Sequence, residues 1–310
     1  MSDSSRWNLV LVTRPRYRHL IADFQQIAAH CRAIDPNIRP LIHIDSPWGA
    51  LRVLGAMLTP TLVFSPRRLL FYHLPRGTVR AGKLLAKSAE YRRLEAAGIA
   101  VPPWRLLTRS HAPDVSAFGR FIVTKPDYGG RGADVKIRRA SRVRWSRPNT
   151  PVRFASRTAV IAQQFVFTGR WPISYRVGTL FGRVIYSWRV EASHHRKPLE
   201  SLNDFSGISI VSSHPGCSFF LNDDPQIIEL AERAHRAFPD IPLLGLDILR
   251  EEPSGRLFVL EVNGTGDVWH FSSGIGKSIQ QWAGFDLQSQ FGGLRRAAEI
   301  LVDATREQAR

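Results

Sequence analysis

Residues 243–264 read LLGLDILREEPSGRLFVLEVNG: two apolar runs joined by a turn, each carrying one carboxylate among aliphatic neighbours. Alternate side chains of a strand share a face, so Glu261 and Asn263 point one way while Leu260 and Val262 point into a core. Asp247 is a lone carboxylate in the first run, and burying it unpaired costs several kcal/mol in rough terms. A hairpin over REEPSGR brings Asp247 beside Glu261 and Asn263. Two carboxylates and an amide oxygen form a hard, oxygen-only cluster suited to Mg²⁺, which would remove that cost. The competing reading is strand carboxylates satisfied by arginine, which this chain has in excess.

The first eighty residues alternate strand and helix signals. WNLVLV, PLIHID and TLVF read as buried strands, and WGALRVLGAML as a helix between the last two. YRHLIADFQQIAAHCRAI places Leu20, Phe24, Ile27 and Cys31 on one helical face. This is a βαβαβ unit and predicts a small parallel sheet. It contains neither a GxGxxG turn nor a GxxxxGK[ST] loop, so this sheet is not expected to bind a nucleotide by itself. A helix is expected from about Arg80 to Ala97, ending at Gly98 as its C′ glycine. Beyond it the pattern turns to β, interrupted by a helix over Pro225 to Phe238, with Asp224 as cap and Pro225 at N1. A last helix is expected over Gly292 to Gln308. The Arg/Ser/Pro-rich stretch from Arg139 to Arg157 reads as a surface connection.

The 310 residues suffice for two or three small domains. The longest apolar run, Val53 to Phe64, is too short to span a bilayer, and no secretory leader is visible, so a cytoplasmic protein without a membrane partner is expected. Cys31 and Cys217 have no metal-ligand spacing and read as free thiols. The net charge of +17, from 43 basic against 26 acidic residues, favours anionic partners. Its arginines are spread along the chain and accompany no nucleic-acid-binding signature, which disfavours nucleic acid.

TKPDYGGRGADVKI (residues 124–137) places a lysine before a glycine cluster. A Walker loop has its lysine after the last glycine and opens a helix. Here RFIVTKP and ADVKIRR flank the glycines as two arms of a hairpin, so the segment reads as a flap over a phosphate. Gly129, Gly130 and Gly132 would admit phosphate oxygens where β-carbons would block them. By itself the loop is equally compatible with a structural turn.

In order along the chain, KSAEYRRLEAAGIAVPPW, FIVTKPDYGGRGADVKI, VIAQQFVFTGRWPISYRVGTLFGRVIYSWRVEA, LLGLDIL and FVLEVNGTG resemble the ATP-grasp superfamily. Its members include D-alanine–D-alanine ligase, glutathione synthetase and the ribosomal-protein glutamate ligases. The resemblance covers about Gly82 to Gly266. It implies an α/β and α+β chain: an N-terminal parallel βαβ domain (1–79), then a two-lobed ATP-grasp domain with antiparallel sheets. The small lobe with its flap would span 80–160, and the large lobe 161–310.

By position, the resemblance implies that Lys87 and Lys125 hold ATP phosphates with Gly129, Gly130 and Gly132; Lys83 competes for the first lysine. Gln163, Gln164, Phe165 and Val166 would form the adenine hinge. Asp247, Glu261 and Asn263 would hold Mg²⁺, with Mn²⁺ as a substitute. Arg176 and Arg189 would face the reacting carboxylate. The implied activity joins a small, acidic carboxylate substrate to an amine or thiol through an acyl phosphate. A kinase acting on a hydroxyl and a non-catalytic basic binding module stay open as alternatives, as does a homodimer. GTGDVWHFSSG departs from the family pattern, and Trp269, His270 and Phe271 either shape the acceptor pocket or pack the lobe.

Overall fold

The computed structural model describes residues 6–56, 58–72, 77–130, 132–148, 158–196, 199, 205–206 and 216–310. The N-terminal unit runs β1 (Trp7–Thr13), α1 (Leu20–Ile34), β2 (Ile38–Ile44), α2 (Pro47–Ala56) and β3 (Thr61–Ser65), with parallel pairing as the alternation predicts. The apolar stripe of α1 is fully buried: Leu20, Phe24, Ile27 and Cys31 expose no surface.

A difference follows β3. Residues Thr78–Ala81 form β4, parallel to β3, and complete a sheet of order β2-β1-β3-β4. The expected helix begins later, as α3 (Lys87–Ala96). Thr78 and Val79 are β-branched and pair with Leu62 and Val63, which outweighs the helical reading of Arg80. The start of α3 is capped from a distance: its N-cap residue Ala86 offers no side chain, and Asp127 accepts hydrogen bonds from Ser88 N (2.8 Å) and Oγ (3.0 Å). Gly98 closes the helix at φ 69°, as expected.

The second sheet is antiparallel and contains β5 (Trp104–Leu107), β6 (Phe121–Pro126), β7 (Lys136–Arg139), β8 (Val160–Gln164) and a short β11 (Phe205–Ser206), in the order β11-β7-β6-β8-β5. The stretch from Arg139 to Arg157 lies partly outside the described residues. The third sheet, also antiparallel, has β9 (Ile173–Leu180), β10 (Arg183–Ala192), β12 (Cys217–Leu221), β13 (Leu243–Arg250) and β14 (Leu257–Asn263), in the order β12-β10-β9-β13-β14. The β9–β10 hairpin turns on Phe181 and Gly182, both at positive φ.

One face of the third sheet packs on α4 (Pro225–His235), whose cap Asp224 accepts from Gln226 N at 2.9 Å. Val177, Leu244 and Leu246 meet Ile227, Leu230 and Ala234 there. The other face carries Tyr186, Trp188 and Leu243, which pack toward the N-terminal unit beside Trp269 and Phe271. Two further helices, α5 (Gly274–Ala283) and α6 (Gly293–Gln308), follow. The first was not legible, because glycines at 274 and 276 mask its period. The second returns to the N-terminal unit, where Ala297, Ala298 and Leu301 join Phe24 and Leu9 in one core. Among the described residues no helix is long and apolar enough to cross a membrane.

Candidate active site

The two carboxylates face one another across the β13–β14 ladder: Asp247 pairs with Glu261 and, on its other side, with Arg176 of β9. Residues paired this way project from one face. Arg176 Nε lies 3.3 Å from Asp247 Oδ1, and its Nη1 donates to the Gly245 carbonyl at 3.2 Å. Asn263 commits its amide nitrogen to Asp247 Oδ2 and to the Gly245 carbonyl, both at 3.3 Å. Its oxygen is the atom left to meet a cation. Asp247 and Glu261 stand on the floor that this sheet face forms and keep 24 % and 23 % of their side chains exposed. Desolvation there lifts the Asp247 carboxyl to about 6 against the pull of Arg176. Glu261 suffers the same desolvation, yet Lys87 and Lys125 together hold it below its usual range.

Both lysines reach this floor from other elements. Lys87, first residue of α3, places Nζ 2.8 Å from Glu261 Oε1 and donates to the Gly129 carbonyl at 3.0 Å. Burial works against its charge, but Glu261 and Glu90 hold its pKa above the ordinary lysine value. Lys125, near the end of β6, donates to the Leu260 carbonyl at 3.3 Å and stands 5.3 Å over the Tyr91 ring. Burial, with Lys87 adding to it, lowers the Lys125 ammonium to about 8 despite the opposing Glu261 charge. Lys83 pairs instead with Asp240 at 2.8 Å. The glycines behind Lys125 leave room: a β-carbon on Gly130 or Gly132 would meet nothing within 4 Å, and Gly132 has φ 69°.

Sequence reasoning missed the residues that lock this floor. Glu90 is 5 % exposed, and its Oε2 accepts from Val262 N at 3.2 Å. Burial first, then Glu261, raises its carboxyl to about 8. Tyr91 donates to the Leu260 carbonyl at 2.7 Å and accepts from Gln163 Nε2 at 3.0 Å, tying α3, β14 and β8 together. One turn of helix separates Lys87 from Glu90 and Tyr91, a spacing that marks all three for one face.

No protein-family model matches the chain, and no curated protein matches it. Solved structures do. D-alanine–D-alanine ligase from Bacillus anthracis superposes with a TM-score of 0.51 at 13 % identity, covering 97 % of this chain and 98 % of that one. D-cycloserine synthetase gives 0.50 at 15 % identity, covering 96 % and 99 %. The chain has the ATP-grasp fold.

Within the ATP-grasp fold the remaining expected residues divide. Gln163 is fully buried in β8; Gln164 N donates to the Pro103 carbonyl at 2.8 Å, and Phe165 N to the Phe121 carbonyl at 3.4 Å. Val166 packs with Leu249 and Phe258 of the third sheet, whereas Gln163 and Gln164 belong to β8 of the second. Arg189 is a correction. It pairs opposite Tyr175, one position out of phase with Arg176, so strand alternation turns it to the helix-covered face. There it lies 3.5 Å from Glu191 and over the Phe220 ring. Trp269 and Phe271 pack the lobe: Trp269 Nε1 donates to Asp23 of α1 at 2.7 Å. Among the described residues no three His, Cys, Asp or Glu side chains converge as a metal site.

Proposed function

We propose that this chain is an ATP- and Mg²⁺-dependent ligase that joins a carboxylate to an amine or thiol through an acyl phosphate, releasing ADP and phosphate. The observation that carries this reading is the convergence of Lys87, Lys125, Arg176, Asp247 and Glu261, from α3, β6, β9, β13 and β14, on one sheet face. The fold shared with a D-alanine–D-alanine ligase and a D-cycloserine synthetase supports it.

Asp247, Glu261 and Asn263 are the residues that would hold Mg²⁺, or Mn²⁺ in its place. When bound, the ion supplies neutralisation of phosphate charge and Lewis acidity. The chain's own groups do the rest. Lys87, released from Glu261, and Lys125 hold the phosphates in line, with the open glycine loop above them. The substrate carboxylate oxygen attacks the γ-phosphorus, the bond to the ADP oxygen breaks, and an acyl phosphate results. The amine then attacks the acyl carbon, phosphate leaves, and the amine's proton is lost to solvent. Arg176 stabilises negative charge on the acyl phosphate and on the tetrahedral intermediate. The positive surplus of the chain favours an acidic substrate.

The test is a screen of pooled amino acids and small dicarboxylates with Mg-ATP, separating the nucleotides released. ADP with a new amide mass supports the ligase. AMP with pyrophosphate would sink the acyl phosphate, and a phosphorylated hydroxyl formed without any amine would establish a kinase.

A further inference from the structure

Helix α2 departs from the pattern of a surface helix, which turns one apolar stripe to the core and polar residues to water. Its inner stripe is ordinary: Ala50 and Val53 pack with Val10, Val12 and Val63 of the parallel sheet. Its outer stripe is apolar as well. Trp48, Leu51 and Leu54 follow one another at helical spacing and keep 76 %, 55 % and 39 % of their surface exposed. Leu58, just past the helix, is 91 % exposed. A single exposed leucine needs no explanation, but a row of three with an indole does.

The loop after β3 enlarges the patch. Asp45, which precedes α2, accepts hydrogen bonds from Leu70 N at 3.0 Å and Phe71 N at 3.2 Å. The next residue, Tyr72, is buried, and its hydroxyl lies 3.0 Å from where a β-carbon on Gly49 would stand. These contacts seat Leu70 and Phe71, both half-exposed, at the N-terminal end of α2.

Charge and area decide what covers this face. Between Pro47 and Pro60 the only charged residue is Arg52, in a chain with 43 basic residues. Helical geometry sets Arg52 beside Trp48 on the flank of the stripe, away from Leu51 and Leu54. An acidic protein or an anionic bilayer is complemented by a basic surface, and this stripe offers one arginine. A second copy of the same stripe needs no charge partner, and a two-fold pair is the commonest closed assembly. The exposed fractions leave roughly 500 Å² of apolar side chain on the stripe, and Leu70 and Phe71 raise this above roughly 600 Å². Two copies would bury about 1,200 Å², enough for a specific, stable interface.

We propose that α2 is the centre of a homodimer interface, its outer stripe packed against the same stripe of a second copy across a two-fold axis. Leu70 and Phe71 close one end, and Arg52 stays at the wet rim. No residue of α2 belongs to the floor around Asp247 and Glu261, so the pairing stands or falls apart from the ligase reading. Each copy carries +17, so like charge opposes the pairing, and salt tightens it by screening. A contact made through opposite charges would loosen in salt instead.

The test is sedimentation equilibrium on the full chain. Wild type is expected as a dimer with a dissociation constant of about micromolar or tighter, tightening as sodium chloride rises from about 50 mM to about 0.5 M. The two-fold axis presents each side chain twice, so Trp48→Glu should weaken the dimer about a hundredfold or more, with a circular-dichroism melt that shows the fold intact. Leu51→Glu serves if Trp48→Glu does not fold. Trp282→Glu, at a half-exposed tryptophan of α5, should leave the dimer unchanged. A wild type still monomeric at roughly 100 µM, a dimer loosened by salt, or a dimer that is equally stable in the α2 variants overturns the proposal. So does a dimer weakened equally by Trp282→Glu. A monomer that co-sediments with phosphatidylglycerol vesicles overturns it in favour of a membrane surface.

Discussion

Lys87 Nζ and Glu261 Oε1 sit 2.8 Å apart, joining the first turn of α3 to the last turn-facing residues of β14. Each is the group that the other's ligand would need: a cation for phosphate and a carboxylate for Mg²⁺. In the free chain they satisfy one another. Lys87→Met should therefore leave Glu261 without its direct partner and destabilise the fold by about 2 kcal/mol, less than a fully buried pair because Glu261 is partly exposed and Lys125 still compensates it in part. Urea unfolding checks this, and added Mg²⁺ should recover part of the loss in the variant only.

Arg176 and Arg189 provide an internal comparison. Arg176→Ala should lower kcat by about 10²–10³ if it stabilises charge on the acyl phosphate. Arg189→Ala, on the opposite face of the same sheet, should leave turnover within a few-fold of wild type. Steady-state kinetics on any substrate pair found by the screen would read both.

The Tyr91 hydroxyl bridges Gln163 Nε2 and the Leu260 carbonyl. Tyr91→Phe keeps the ring under Lys125 and strands two buried polar groups. The expected cost is about 1–3 kcal/mol, measured by chemical unfolding. A variant as stable as wild type would mean that the bridge contributes nothing.

His235 should set an acid limb of stability. Buried between Thr179 Oγ1 (2.7 Å) and the Ile241 carbonyl (3.0 Å), it is held neutral by desolvation, with a pKa lowered to about 4. A folded value below the unfolded one means that its full contribution is present above about pH 6.5 and is lost as pH falls toward 4. Unfolding free energy should drop by about 2 kcal/mol between pH 7 and pH 5 from this residue. His235→Gln should flatten that slope.

The parts of the fold with strong local periodicity were legible. The stripe of α1, the alternation in β13 and β14, the Asp224 cap and the Gly98 stop all follow from neighbours within a turn or a strand. The pairing of Asp247 with Glu261 was legible too, because a short turn joins their strands. What sequence could not show was set by distant partners. Asp127 starts α3 from the next sheet, β4 exists only through β3, and Arg189 loses its place to a one-residue phase that only the ladder reveals.

The most direct measurement is calorimetric titration of a non-hydrolysable ATP analogue into wild type and Glu261→Gln, each with Mg²⁺ and with EDTA. Wild type should show a single Mg²⁺-dependent site, with that metal dependence lost or strongly weakened in Glu261→Gln while the variant stays folded. Equal binding with and without Mg²⁺, no binding by the wild type, or an unaltered metal dependence in Glu261→Gln would contradict it.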